Sequence, residues 1–296
     1  MDAGADRTSS TGDAATALTA WGNAWLAGHV GLDEAVDAVE RAAGPQVVGM
    51  SPATADVPDT PSSPSGPSGP SGSSGLHAGL ALPGVSEDMP LRRALGELRV
   101  EGMTSLRLAM PVPGDPLGLT GPPAFNRAAI AAGSAVVAVL ADRAVGLVPR
   151  EDRRGSSYAG VLWELAPASP GRPDVPSLPE ADRDLTLAMR EATEALLTVS
   201  DVSSVPPEIA DELMSLRSAG ADEPPLAPGY PPRAQRTAAR AVHLATVVRL
   251  ARRLEARGLD APQMRRRDEA LRLLDRAVRR AMIAACDSVF DPVPDR

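Results

Sequence analysis

The sequence contains no lysine; all 30 of its basic residues are arginine. That absence excludes a lysine Schiff base, a pyridoxal-phosphate lysine and the lysine of a phosphate-binding P-loop. Cysteine occurs once, at Cys286, so neither an intramolecular disulfide nor a cysteine-rich zinc site can form. Cys286 closes the apolar run 281–285 and precedes Asp287, the setting of a buried thiol that acts as a small hydrophobe. Aromatic residues are only 2% of the chain, and none lies among its C-terminal arginines, which disfavours a base-stacking surface for single-stranded nucleic acid. The three histidines, His29, His77 and His243, share no short ligand spacing, and the sequence implies neither a metal site nor a cofactor. The longest nearly apolar run, 128–141, is too short to span a bilayer and is interrupted by Gly133 and Ser134. Residues 1–15 are acidic and carry no signal-like apolar core, so a cytoplasmic protein without membrane insertion is expected.

What the chain does contain is a hydrophobic share of 43% and strongly local glycine and proline. Pro61 to Gly75 consists entirely of proline, serine and glycine, with almost no side-chain area to offset the entropy of ordering. The sequence therefore predicts a disordered insertion over 51–84. Before it, residues 1–13 read as a flexible acidic segment. Leu18, Trp21, Trp25 and Leu26 recur at helical spacing from about Ala14, and a second helix is predicted from Leu32 to Ala43. A short strand follows at 46–50. After the insertion, Leu91 to Val100 is amphipathic and ends at Glu101-Gly102. Ser105 to Met110 alternates with a period of two, as a half-buried strand does. Pro123 opens a helix that Gly133 ends; strands are predicted at 135–140, 145–148 and 158–165. Beyond a proline-rich connection the period lengthens, giving helices at 179–199, 206–216, 234–257 and 262–286.

The predicted fold is α+β. A mixed, mainly antiparallel sheet packed with helices forms a composite region from 14–50 and 85–166, and a helical, bundle-like region follows at 179–290.

Charge is unevenly distributed. Residues 1–230 carry 15 arginines and 30 acids, giving −15; residues 231–282 carry 14 arginines and 5 acids, giving +9; the tail gives −2, and the total is −8. The basic helices put Arg249, Arg252, Arg253, Arg265, Arg272, Arg276, Arg279 and Arg280 on a candidate interaction surface, opposite an apolar stripe of Leu271, Leu274, Val278, Ala281 and Ala285. Such a face suits a protein partner, a second copy of the chain or the chain's own acidic half. Phosphate or nucleic acid is a less favoured ligand, and would need one continuous exposed band of arginine.

Searches for catalytic chemistry return little. No Gly-x-Ser-x-Gly elbow occurs, and Ser134 precedes a predicted strand where a nucleophile elbow would follow one. Glycines 114, 118 and 121 do not match a dinucleotide fingerprint. If a small-molecule site exists, the loop 111–127 is the place for it. There Asp115, Thr120, Asn126 and Arg127, supplemented by Arg107 and Arg143, would orient an anionic ligand beside a helix start. The leading expectation is a non-enzymatic interaction or regulatory protein. A nucleic-acid-associated protein and a small-molecule enzyme are the alternatives.

Overall fold

A computed structural model of the chain describes residues 3–50, 88–154, 158–197, 225–253 and 260–291. The predicted insertion, 51–84, and the predicted helix at 206–216 lie outside the described residues. The chain divides into two compact units: Met1–Gly22 with Gly31–Pro173, and Asn23–Val30 with Asp174–Arg296.

The first unit is built on a six-stranded sheet. Its strands are β1 (Gln46–Met50), β2 (Met89–Pro90), β3 (Ser105–Ala109), β4 (Ala135–Val139), β5 (Ala144–Arg154) and β6 (Tyr158–Ala168), in the order β2-β1-β6-β5-β4-β3. Only the β1–β6 pair is parallel; every other neighbouring pair is antiparallel. β1 thus joins the sheet formed by residues 89–168. The Trp163 indole N–H donates to Gln46 Oε1 at 2.8 Å, and Gln46 Nε2 returns to the Gly44 carbonyl at 2.7 Å. Because Gln46 and Trp163 are both buried, this bond fastens β1 to β6 by side chains as well as by the backbone ladder.

Helices cover the sheet: α1 (Ala3–Leu26), α2 (Leu32–Ala43), α3 (Leu91–Val100) and α4 (Pro123–Ala132). In α4, proline stands in the first turn and Gly133 ends the helix in the left-handed conformation at φ 78°. Phe125 of α4 enters a cluster with Ala129, Val137 and Val148. Its ring lies so close to Gly146 that a Cβ there would sit 2.3 Å from Phe125 Cε2.

One expectation for α1 needs correction. The helix begins at Ala3, upstream of Ala14, so residues 3–13 are helical rather than a flexible lead. Its buried positions include Ala14, Ala15, Leu18, Thr19, Ala20, Asn23 and Ala24, whereas Trp21 and Trp25 are only half-buried. The helix lies close against the sheet, since a Cβ on Gly22 would meet Leu106 Cδ1 at 2.3 Å. β5 and β6 also run longer than predicted, to Arg154 and Ala168, because their antiparallel pairing continues unbroken through the charged residues 150–154.

In the second unit the described long helices are α5 (Leu178–Leu197), α6 (Pro232–Arg253) and α7 (Ala261–Asp287), the last followed by a 3₁₀ turn at Ser288–Phe290. Ser177 N–H and Oγ both donate to Glu180 Oε2, at 3.0 and 2.7 Å, which fixes the start of α5. These bonds hold the Glu180 carboxyl below its ordinary pKa. At the start of α7 a reciprocal capping box joins Asp260 and Gln263. Leu271, Leu274, Val278, Ala281 and Ala285 are all buried, as their spacing predicts. Asp182 accepts from Arg233 at 3.1 Å and Arg240 at 3.2 Å, so α5 and α6 start at the same end.

The turn before α6 is tied down by polar bonds. Gln235 Nε2 donates to the carbonyls of Leu226 and Ala227, both at 3.1 Å, and the Tyr230 hydroxyl donates to the Cys286 carbonyl at 2.9 Å. Tyr230 also meets the side chain of Asn23, which belongs to this unit.

A candidate interaction groove

The loop 111–127 is occupied with internal bonding. Val112 and Asp115 exchange both backbone hydrogen bonds, at 3.0 and 2.9 Å, closing a tight turn. Thr120 Oγ1 donates to the Ser169 carbonyl at 3.0 Å, and Asn126 Oδ1 accepts from the Gly121 N–H at 3.1 Å. Arg107 Nη1 donates to the carbonyls of Pro170 and Gly171 at 3.3 and 2.8 Å. Arg143 pairs with Glu101, well away from the Asp115 turn in sequence, while Arg127 points to solvent from α4. Arg107, Thr120 and, through Gly121, Asn126 thus gather about residues 169–171, where their polar groups are spent on the backbone. The loop instead protects the sheet edge: Met110 N–H bonds the Leu117 carbonyl at 3.2 Å, and Gly118 lies against the backbone of Leu108 and Ala109 in β3. An edge strand left bare would recruit another chain, and this loop blocks it.

The predicted arginine surface is partly consumed by pairing. Arg279 is 8% exposed and bonds Asp275 at 3.1 Å; Arg252 approaches the same carboxylate at 3.8 Å. Arg272 pairs with Glu269, and Arg249 Nη2 donates to Thr246 Oγ1 at 3.5 Å. Arg253 and Arg276 are exposed, and Arg280 is half-buried. A buried, neutralised Arg279 between Arg276 and Arg280 interrupts the continuous band that phosphate-backbone binding would need.

What the helices do form is a groove of about 540 Å³ between α5 and α7. Ala188, Ala192, Ala195 and Ala270 make its floor, and Leu273, 44% exposed, adds an apolar wall. Glu191, Arg265, Arg266, Glu269 and Arg272 form the rim. Arg265 and Arg272 also line a neighbouring cleft of about 440 Å³ with Arg252 and Asp268. Arg265 and Arg266 make no ion pair with any described residue. Both are exposed at the groove, so their charged heads stay available. Of the predicted surface, then, Arg252, Arg265 and Arg272 gather at these clefts. Glu191, Arg266 and Leu273 belong to the groove without having been singled out, since the pairing of α5 with α7 is not readable from periodicity.

The first unit has its own cleft of about 550 Å³, lined by Thr11, Ala131, Val148, Arg150 and Glu164 among others. Its charged groups are paired, Arg150 Nη1 lying 2.6 Å from Glu164 Oε1 and Glu151 bonding Arg153. Cys286 is fully buried, and burial raises its thiol far above the ordinary value, which keeps it protonated and chemically inert. No group of three or more His, Cys, Asp or Glu suited to a metal ion occurs among the described residues. No described helix is long and apolar enough to cross a membrane.

Two family models match, the N-terminal domain of Rv1486c-like protein over residues 15–175 and its C-terminal domain over 179–283. The chain belongs to the Rv1486c-like family. Rv1486c of Mycobacterium tuberculosis strain H37Rv, described as an uncharacterized protein, is 29% identical over 301 residues, covering 92% of this chain and 96% of that protein. The uncharacterized protein ML1804 of Mycobacterium leprae is 27% identical over 308 residues, with the same coverage of both chains. No solved structure matches the chain. The boundary between the two matched domains falls where the sheet unit gives way to the helical one at Asp174.

Proposed function

We propose that this member of the family is a non-catalytic interaction protein that holds an acidic, amphipathic helix of a protein partner in the α5–α7 groove. The observation that carries the proposal is an apolar, alanine-floored groove whose rim presents Arg265 and Arg266 without an ion-pair partner among the described residues. Alanines let a third helix approach closely, and leucine-sized side chains inserted between α5 and α7 would gain on the order of 1.5–3 kcal/mol each if fully buried. Arginine forks at the rim select carboxylates on the incoming helix. Being solvent-exposed, each such pair adds only about 0.2–1 kcal/mol, so charge supplies selection and steering while apolar burial supplies affinity. A cytoplasmic site of action goes with this reading, because the only cysteine is a free, buried thiol.

Photo-crosslinking tests it. A crosslinkable residue replaces Glu191, which is exposed at the rim, in otherwise wild-type chain and in the Arg265→Glu/Arg266→Glu variant. The wild-type groove should capture a polypeptide at an acidic, apolar-faced segment, and the charge-reversed groove should not. Capture that ignores the charge reversal, or no capture of any protein in the native host, contradicts the proposal.

A further inference from the structure

The α5–α7 groove carries acids as well as arginines, and the two are sorted by helix. On α5, Asp184, Ala188, Glu191 and Ala195 fall at i, i+4, i+7 and i+11, a single stripe along one face. Ala188, Glu191 and Ala195 line the groove, and Asp184 stands exposed one turn before Ala188. The two bases of α5, Arg183 and Arg190, each sit one residue before an acid of the stripe. One residue is about 100° of turn, so both lie on the side away from the alanines. From α7 the groove receives Arg265, Arg266 and Arg272. Among the described residues, Asp184, Glu191, Arg265 and Arg266 make no ion pair.

An acidic stripe and a basic stripe therefore flank one seam of small residues without neutralising each other. Such a face is complementary to itself. A two-fold axis along the seam, parallel to the helices, lays α5 of each copy on α7 of the other, and every contact occurs twice. An axis across the seam would set acid on acid, which charge disfavours. Helix direction suits the first arrangement. Arg267 donates to the Ala251 carbonyl near the end of α6, so α7 runs opposite to α6 and hence to α5. Arg265 and Arg266 then stand level with the later turns of α5, where Glu191 of a second copy would arrive. Leu187, 54% exposed one turn before Glu191, and Leu273 would be covered by the same contact.

We propose that the partner whose acidic helix enters the groove is a second copy of this chain, the helix being its α5. The inference rests on the groove reading above and names the occupant. In the symmetric pair, Asp184 and Glu191 of each copy meet the rim arginines of the other, and Ala188, Ala195 and Ala270 let the helices approach closely.

The test is sedimentation equilibrium of the purified full chain. Wild type should form a dimer that weakens as salt is raised. Asp184→Arg/Glu191→Arg turns the acidic stripe basic, and Arg265→Glu/Arg266→Glu turns the basic stripe acidic. Each variant alone should dissociate at least about tenfold more readily than wild type. Mixed in equal amounts, the two should associate with each other, because each then presents the charge that the other lacks. A wild type that stays monomeric up to about 0.1 mM overturns the inference. So does a dimer indifferent to both reversals, or a mixture that stays as dissociated as its components. Circular dichroism checks the fold of both variants. Should either fail to fold, a crosslinkable residue in place of Leu273, on the groove wall, decides. In purified protein it should link to α5 of a second copy; the absence of any link between copies overturns the inference. The groove reading is judged separately by crosslinking from position 191 in the native host. A monomeric chain that captures an acidic segment of another protein there overturns the second copy and leaves the groove reading standing.

Discussion

Gly118 and Gly114 have the same φ, +85°, in one loop, yet they meet different surroundings. A Cβ on Gly118 would lie 2.7 Å from Ala109 Cα and 2.8 Å from the Leu108 carbonyl, whereas nothing lies within 4 Å of one on Gly114. Gly114→Ala should therefore cost only the left-handed conformation, about 1–2 kcal/mol. Gly118→Ala adds a clash with strand backbone and should cost roughly 3 kcal/mol or more. Urea midpoints of the two variants measure the difference; equal losses would mean that the loop does not lie on the edge of β3. Tyr230 and Cys286 set the response to alkali. Burial raises the pKa of Tyr230 well above its ordinary value, with Cys286 and Asp287 adding to the rise and the bond to Asn23 opposing it. Burial, then Asp287, raises Cys286 likewise. The unfolded chain ionises these groups near about pH 8.5 for the thiol and about 10 for the phenol, before the folded chain does. Their contribution to stability is thus complete below about pH 8.5 and declines above it. Urea midpoints should fall between about pH 8 and about pH 10, and fall less in Cys286→Ala. A thiol reagent should label Cys286 only on unfolding.

Among the elements, β1 pairs with β6 more than a hundred residues later in the chain, and its side-chain anchor is the Gln46–Trp163 hydrogen bond. Gln46→Leu leaves a buried indole N–H without its acceptor and should destabilise the protein by about 1–3 kcal/mol. A red-shifted tryptophan emission should accompany the loss. An unchanged midpoint would show that the backbone ladder alone holds β1. Most element boundaries were legible because they depend on local chemistry. Leu91–Val100 follows from its amphipathic spacing, α4 from Pro123 and Gly133, and β3 from the alternation of Leu106 and Leu108. Where the reading went astray, tertiary packing overrode it. Helix α1 starts at Ala3 rather than near Ala14, and Gly22 brings it close against Leu106 of β3. Ser177 and Glu180 are a capping pair visible in the sequence as S-x-x-E, a signal that marks the start of α5 more closely than apolar periodicity does.

For the whole molecule, the two matched family domains meet at residues 175–179, but the helical unit also takes in Asn23–Val30 from the early chain. Tyr230 contacts Asn23, and Gly229 at φ +91° lies against the ring of His29. A fragment of residues 174–296 lacks those partners, so it should melt several degrees below the helical transition of the full chain, a loss of about 1–3 kcal/mol. Circular dichroism melts compare the two; equal midpoints would make residues 23–30 dispensable. The candidate groove was the least legible feature. Its charge was visible in the excess of arginine over 231–282, but its floor consists of alanines on α5 and α7, helices separated by more than sixty residues of sequence. Alanine spacing does not announce which helix it will face. Nor does a sequence tell which arginines are neutralised: Arg279 is buried on Asp275, while Arg265 remains available. The central claim is that the available arginines and the alanine floor together hold an acidic helix. Its most direct test is the dissociation constant of the segment crosslinked from position 191, made as a peptide and titrated against wild type and Arg265→Glu/Arg266→Glu at low and high salt. The account predicts binding that weakens with salt and at least about a tenfold loss on charge reversal. Affinity indifferent to both changes would contradict it.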